Sequence, residues 1–464
     1  MSAAPGKVGQ NTIMQKSVHT AVPVSALQDV LWPAMPDDAA ARMLALQYQF
    51  EQSQWWPLER LHELQLQQFA QVFRHAVATV PFYRERFAPW SGAAMSWERY
   101  RELPVSPRRD IQLAGTAMHS SAPPQAHGLG ISTQSSGSTG SPMVTLGTAW
   151  TQMLWSALLL RDHIWHRREF DGKLAAIRSK AGNNRFENWG PATAAFVTGP
   201  SLVSGLGADL DEQLRWLVKE NPEYILAFPT IVHALVQRSL DLGVCLTRLK
   251  QVRTYGETLN PGLRDLVRGA WGVGIVDSYS SEELGYIALQ CPQQEGVYHV
   301  QAESIILEVL GPDGRTCVPG ETGQVVVSTL HNFAMPLLRY ASGDYAEVGE
   351  PCACGRGLPV LRRIAGRQRN MLRRPDGLRY WPTLPISDWG GIAPILQIQL
   401  VQDAIDHVEA RVVMPRDFTG DEGDRLAAAL LDCLGYPFRM TLTRVDAIPR
   451  GAGQKYEDFV SLLD

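Results

Sequence analysis

The chemistry-bearing residues of this chain fall into short polar segments set between apolar runs. The first is Ser135-Ser136-Gly137-Ser138-Thr139-Gly140-Ser141-Pro142. Glycines among hydroxyls give a backbone that can bend tightly around an anion, with N–H and O–H donors aimed at phosphate oxygens. The same composition also makes a flexible linker. The second is Asp277-Ser278-Tyr279-Ser280-Ser281-Glu282-Glu283, where an apolar run ends in two adjacent carboxylates. A carboxylate together with nucleotide phosphates is the usual way to hold Mg²⁺. A solvated helix start with Glu in its first turn gives the same pattern. Arg339-Tyr340-Ala341-Ser342-Gly343-Asp344, Gly366-Arg367 and Gly451-Ala452-Gly453-Gln454-Lys455 are further polar segments that say little singly.

A metal-ligating pattern stands apart from these. Cys291 and His299, with Cys352 and Cys354 downstream, make a Cys3His set. Thiolates and an imidazole in that number suit tetrahedral, structural Zn²⁺, and four protein ligands leave no open position for catalysis. The competing reading is a group of unrelated buried cysteines. Zinc is the better of the two, because the two pairs bracket the Tyr340–Asp344 segment. Cys245, Cys317 and Cys433 have no such spacing and read as plain thiols.

These segments need elements to position them. From Leu58 to Val80, Leu61, Leu64, Phe69, Val72, Phe73, Ala76, Val77 and Val80 recur at helical spacing, and Pro81 stops the helix. Thr148 to Arg161 reads as another helix. Between about residues 170 and 345, strand-like runs (173–177, 224–228, 251–255, 275–279) alternate with helical patterns (211–219, 229–242). That alternation predicts α/β layering. Runs 304–310 and 323–329 read as strands flanking the turn Gly311-Pro312-Asp313-Gly314. Beyond about residue 368 the pattern becomes a small α+β unit. It has strands from 396 and from 407 to 414, a helix from 420 to 434, and a last strand from 438 to 445.

Size and charge narrow the function. A chain of 464 residues, 45% of them hydrophobic, can bury a large core and needs no disulfide framework, for which six cysteines are too sparse. A net charge of −4 argues against a general nucleic-acid partner. No apolar stretch is long enough to span a bilayer, and residues 1–17 have no leader-like apolar core. The reading is a soluble, cytoplasmic protein, with no membrane partner, that is a monomer or homodimer.

In this order the motifs are specific. From about residue 58 to 460 the chain resembles the adenylate-forming superfamily of acyl-CoA synthetases and adenylation domains, and within it the phenylacetate–CoA ligase branch. Val80-Pro81-Phe82-Tyr83 is similar to that branch's N-terminal signature. Residues 135–142 match the phosphate loop, Tyr255-Gly256-Glu257-Thr258-Leu259 the Gly-Gly-Glu turn, and Tyr279 to Glu283 the aromatic-x-x-x-Glu element. Tyr340 to Asp344 matches Tyr-x-Thr-Gly-Asp, Gly366-Arg367 the hinge element, and Lys455 the C-terminal lysine.

The resemblance implies a large multilayer α/β domain (36–366), a mobile α+β lid (367–464) and a loosely ordered arm (1–35). It implies ATP, Mg²⁺ and coenzyme A as cofactors, and a carboxylic acid, aryl or small and hydrophobic, as substrate. The acyl acceptor is CoA, or alternatively an amine or a carrier-protein thiol. Ser135, Ser136, Gly137, Ser138, Thr139 and Gly140 would cradle phosphates, with Thr139 counted as catalytic. Glu283, favoured over Glu282 by its spacing from Tyr279, would hold Mg²⁺. Gly256, Glu257, Ser278 and Tyr279 would flank adenine. Asp344 would bind the ribose hydroxyls, Arg367 the ribose or phosphate, and Lys455 would bridge substrate carboxylate and α-phosphate. Trp155, Phe228, Tyr255 and Ser280 would line the acyl pocket. The relatives' Cys-x-Cys-Gly-Arg element falls on Cys352 to Arg356. Four departures are visible: Met143 stands where many relatives carry a loop lysine, Ser342 replaces Thr and keeps its hydroxyl, Ser280 replaces a usual Gly, and Arg369 takes the hinge Asp position. Arg362, Arg363, Arg367, Arg369, Arg373, Arg374 and Arg379 crowd that hinge. They read either as a dock for CoA phosphates or an acidic carrier, or as a solvated hairpin around Asp376-Gly377.

Overall fold

The computed structural model describes residues 22–134, 143–178, 182–385, 389–450 and 455–463. The proposed phosphate-loop residues Ser135, Ser136, Gly137, Ser138, Thr139 and Gly140 lie outside the described residues.

Strand β1 (Leu174–Arg178) is flanked by β2 (Ser201–Gly205) and β3 (Tyr224–Ala227), followed by β4 (Gln251–Tyr255) and β5 (Gly274–Ser281), all parallel. Tyr224 to Ala227 are buried throughout, as expected of a parallel strand covered on both faces. The covering helices include α1 (Leu210–Glu220), α2 (Pro229–Leu242) and α3 (Gly262–Trp271). Their residues Leu217, Val232, Leu235 and Val267 pack against Ile177, Ile225, Val252 and Ile275. The predicted strands and helices of this region therefore form as read, within a residue or two at their ends.

After β5 the sheet turns antiparallel: β6 (Gly285–Gln290), β7 (Tyr298–Val300), then β8 (Val360–Arg367), β9 (Tyr340–Val348), β10 (Thr322–Thr329) and β11 (Ile305–Leu310) across the sheet. Glu282 and Glu283 sit in the turn between β5 and β6, so the alternative of a helix start there is wrong. Hydrogen bonding of β6 back onto β5 leaves no room for a helical turn. The helix read from Leu58 runs Leu58–Thr79, buries Leu61, Phe69, Val72, Phe73 and Ala76, and ends at extended Val80. The helix read as 148–161 runs Ala149–Trp165 with Thr148 as cap. It continues past Arg161 because the charges there are paired rather than solvated: Arg161 with Glu303, and Asp162 with Arg168 and Arg253.

The smaller C-terminal domain has a four-stranded sheet, β12 (Gln397–Ala404), β13 (His407–Val413), β14 (Arg439–Val445) and β15 (Phe459–Ser461), in the order β14-β13-β12-β15. Helix α4 (Glu422–Leu434) packs Leu426, Leu430 and Leu434 onto it. Strand 438–445 is thus not the last. Three residues pairing parallel to β12 from Leu400 to Gln402 are too few to show periodicity. Around Asp376-Gly377 the arginine-rich segment forms a short hairpin, Leu372–Arg373 with Arg379–Tyr380, in which Arg374 pairs with Asp376. Among the described residues, no helix is long and apolar enough to cross a membrane.

Candidate active site and metal centre

The parallel strands deliver their carboxyl ends to one edge, which is where open α/β sheets bind ligands. β4 ends at Tyr255, followed by Gly256 in a left-handed conformation (φ +77). A Cβ on Gly256 would sit 3.1 Å from the Phe228 ring and 3.6 Å from Lys455 Cε. The left-handed backbone and the close Phe228 ring call for glycine here, and Lys455 of the C-terminal domain lies within ordinary contact of the turn.

Tyr279 on β5 donates its hydroxyl to Asp344 Oδ2 at 2.7 Å. Asp344 on β9 sits opposite Arg367 on β8, whose Nε is 3.4 Å from Asp344 Oδ1. Ser278 Oγ donates to the Thr254 carbonyl at 3.2 Å. Glu283 is almost fully buried and pairs with Arg108. It also accepts from the Tyr340 hydroxyl at 3.2 Å. Burial pushes the Glu283 carboxyl up, but Arg108 outweighs it and holds the pKa below the ordinary value, so the group is an anion at neutral pH. Glu282, its rival, is exposed.

Lys455 is drawn down in pKa by burial and then by Arg367, against the attraction of Asp344, Glu257 and Glu283. Those four neighbours place its ammonium among the residues just described. Glu257 has a further set of partners. Its carboxylate accepts from the Thr230 amide (3.1 Å) and hydroxyl (2.8 Å), and from the Tyr456 amide at 2.8 Å. Arg450 completes the set at 3.5 Å. Glu257 thus joins the end of β4 to both flanks of Lys455. At the hinge, Arg369 grips Glu457 through Nε (2.9 Å) and Nη2 (2.6 Å).

Beside Glu283 a cavity of about 80 Å³ is lined by Trp155, Leu146, Leu158 and Tyr286, with Thr133, Thr145 and Gln152 among its polar walls. Of the predicted pocket residues, Trp155 lines it. Phe228 and Tyr255 pack against each other with tilted rings, centroids 4.9 Å apart, and with Ser280 lie outside that lining. Arg108 and Arg450 were not anticipated. Neither has a spacing or a local motif that marks it.

The Cys3His residues do meet. Their ligand atoms all lie within 4.8 Å of one another. Cys291 Sγ is 3.7 Å from Cys352 Sγ, and Cys354 Sγ is 3.3 Å from His299 Nε2. A tetrahedral ion with Zn–S bonds of about 2.3 Å needs sulfurs about 3.8 Å apart. Burial, then Arg356, pushes His299 down to about 4, which leaves the imidazole neutral with a lone pair to give. Donor set and spacing fit zinc. Cys291 follows β6, His299 is on β7, and Cys352 and Cys354 lie between β9 and β8, so one ion would tie three parts of the sheet.

Comparison with known proteins places this geometry. No family model matches the chain. A phenylacetate-coenzyme A ligase of Thermus thermophilus is 24% identical over 454 residues, 88% of this chain and 97% of that protein. A 2-hydroxyisobutyryl-CoA ligase in its postadenylation state superimposes with a TM-score of 0.72 at 18% identity, over 89% of this chain and 91% of that one. The fold is that of adenylate-forming CoA ligases, and the sequence relatives are phenylacetate–CoA ligases, in agreement with the branch that the motifs resemble. The same 2-hydroxyisobutyryl-CoA ligase in the thioesterification state, with 2-HIB-AMP and CoA, superimposes with a TM-score of only 0.60 at the same coverage.

Proposed function

We propose that this chain activates a carboxylic acid with ATP and passes the acyl group to the thiol of coenzyme A. The observation that carries the reading is the convergence of Lys455, Asp344, Arg367 and Glu283 at the carboxyl edge of the sheet. In the first step a substrate carboxylate oxygen bonds to the α-phosphorus, the bond to the bridging oxygen breaks, and pyrophosphate leaves. Two anions must approach each other, and the Lys455 ammonium, among Arg367 and the buried carboxylates, offsets that repulsion. Asp344, held by Tyr279 and Arg367, is a fixed double acceptor for the ribose hydroxyls. Glu283 would hold Mg²⁺, which supplies charge neutralisation on the phosphates when bound. Residues 135–140 would cradle the outer phosphates, with Thr139 donating to them. In the second step the CoA sulfur attacks the acyl carbon, AMP leaves with the bonding pair, and the thiol proton goes to solvent.

The hinge lies at 366–369, and the domain from 367 rotates between steps. The Cys3His site holds zinc as a structural clamp. The cavity of about 80 Å³ beside Trp155 and Tyr286 suits an aryl or small hydrophobic acid. The test is ATP–pyrophosphate exchange with a panel of carboxylic acids, with and without CoA. Exchange with an acid and its CoA thioester as product supports the reading. Exchange with an amide or a loaded carrier as product transfers the second step to another acceptor. ATP binding without exchange for any acid overturns it.

A further inference from the structure

We propose that the acid this chain activates is an aryl acid carrying a hydroxyl on its ring, and that Tyr286 and Gln152 select it by hydrogen-bonding that hydroxyl. The selection rests on the adenylate-forming reading and narrows its substrate class. The cavity of about 80 Å³ beside Glu283 has mostly apolar walls, with Trp155, Leu146, Leu154 and Leu158 among them. Gln152 and Trp155 are three apart on the helix Ala149–Trp165 and so share a face. Tyr286, on β6, meets the Trp155 ring edge-on, with centroids 6.1 Å apart. Such walls suit a flat ring better than an aliphatic chain.

Most polar groups on these walls are already used by the protein. Thr133 and Thr145 bond to each other at 2.7 Å, and Thr151 closes the helix cap with Thr148. Ser304, Thr329 and Asn332 donate to the carbonyls of Gln301, Leu337 and Leu146. His331 Nε2 donates to that of Glu303. The Tyr286 hydroxyl and the Gln152 amide differ. Both residues are half-buried and line the cavity, and neither group has a hydrogen-bond partner among the described residues.

Those two groups define what fits between them. Burial holds the Tyr286 phenol above its ordinary pKa, so it stays an O–H donor. The Gln152 amide supplies N–H donors and one acceptor oxygen. A hydroxyl matches both, because its oxygen accepts from Tyr286 while its proton goes to Gln152 Oε1. A second carboxylate does not match. Among the described residues the lining holds no lysine or arginine, and it does hold Glu282 and Glu283. An unsubstituted ring displaces water from the two groups and leaves both unsatisfied, which costs affinity.

ATP–pyrophosphate exchange by the full chain, read as kcat/KM for matched acids, tests this. The aryl pairs are phenylacetate and benzoate, each against its ring-hydroxylated derivatives; propionate against lactate is the aliphatic pair. At least one ring-hydroxylated acid should exceed its unsubstituted parent by about 10²-fold or more, since a site built to bond a hydroxyl rejects the acid lacking it. Tyr286→Phe and Gln152→Met should each lower that ratio by about tenfold, the loss of one hydrogen bond. A merely structural role would lower both members of a pair equally and leave the ratio alone. If Tyr286→Phe does not fold, Gln152→Met decides. Unsubstituted rings preferred or equal in both aryl series overturn the proposal. So does a preference for lactate over every aryl acid, or a ratio unchanged in the folded variants. All three leave the adenylate-forming reading standing, because exchange still occurs. ATP binding with no exchange for any acid overturns that reading, and the hydroxyl selection with it.

Discussion

Lys455 is half-buried near Arg367 and three carboxylates, so removing its ammonium leaves Asp344, Glu257 and Glu283 facing an incoming acid and a polyphosphate with less positive charge. Lys455→Ala should cut acyl-AMP formation by about 10²- to 10³-fold, the usual scale for one preorganised electrostatic contact. Reaction of supplied acyl-AMP with CoA should change little. Pyrophosphate exchange and thioester formation, measured separately, check this; near-normal exchange removes Lys455 from the mechanism. Asp277 gives a pH prediction. Burial, against hydrogen bonds from Thr254 and Tyr298, raises it from 3.8 to about 6. The folded state therefore binds its proton more tightly than the unfolded one. The stability this gives is complete below about pH 4 and is lost as pH rises through about 6, on the order of 3 kcal/mol. Asp277→Asn should flatten the fall in melting temperature between pH 4 and 7; Asp458, also raised to about 6, keeps part of the slope. Single residues were legible where a motif fixes spacing. Tyr279 and Glu283 are four apart, and the buried member of the Glu282–Glu283 pair is the one that spacing favoured. Arg108 was not legible, because its meaning comes from Glu283, 175 positions away.

Elements follow from sequence when burial gives them a period. The parallel strand Tyr224–Ala227 is apolar throughout and the helix Leu58–Thr79 has one apolar face, and both formed as read. β15 failed that test, since a three-residue strand has no period, and only its pairing with β12 makes it one. It matters for the site because the chain from Lys455 to Asp458 leads into it. The Cys3His cluster, the candidate zinc site, is the other element-scale feature. Thiolates and imidazole arrive from β6, β7 and the loop between β9 and β8, and that loop also reaches the N-terminal helices: the Gly357 amide donates to the Gln54 carbonyl at 2.9 Å, and Arg356 lies over Trp55 and Trp165. Binding free energy at a structural zinc site is folding free energy. Elemental analysis should find about one zinc per chain. Cys354→Ser or a strong chelator should lower the melting temperature by about 2 °C or more, a loss of at least about 2 kcal/mol in a chain of this size. Metal-free protein of undiminished stability would show that the four residues are only neighbours.

At the scale of the molecule, Glu257 is a charged contact between the two domains. It sits at the end of β4 in the large domain, yet accepts from the Tyr456 amide and faces Arg450 in the small one. Nothing along the chain announces this contact, since its partners are 193 and 199 positions away. On the proposed mechanism Glu257 is a contact of the first half-reaction, and the proposed rotation of the small domain would break it. Burial raises the Glu257 carboxyl above its ordinary value, so the contact is costly to desolvate and does not hold the lid irreversibly. Glu257→Gln keeps the size and one acceptor oxygen, but loses the charge that meets Arg450 and turns an amide toward the Thr230 donors. It should slow acyl-AMP formation by about tenfold, equivalent to about 1.4 kcal/mol. Thioester formation from supplied acyl-AMP, which needs the lid elsewhere, should be unchanged or faster. An equal loss in both half-reactions would make Glu257 a structural or nucleotide-binding residue instead of a contact specific to the closed state.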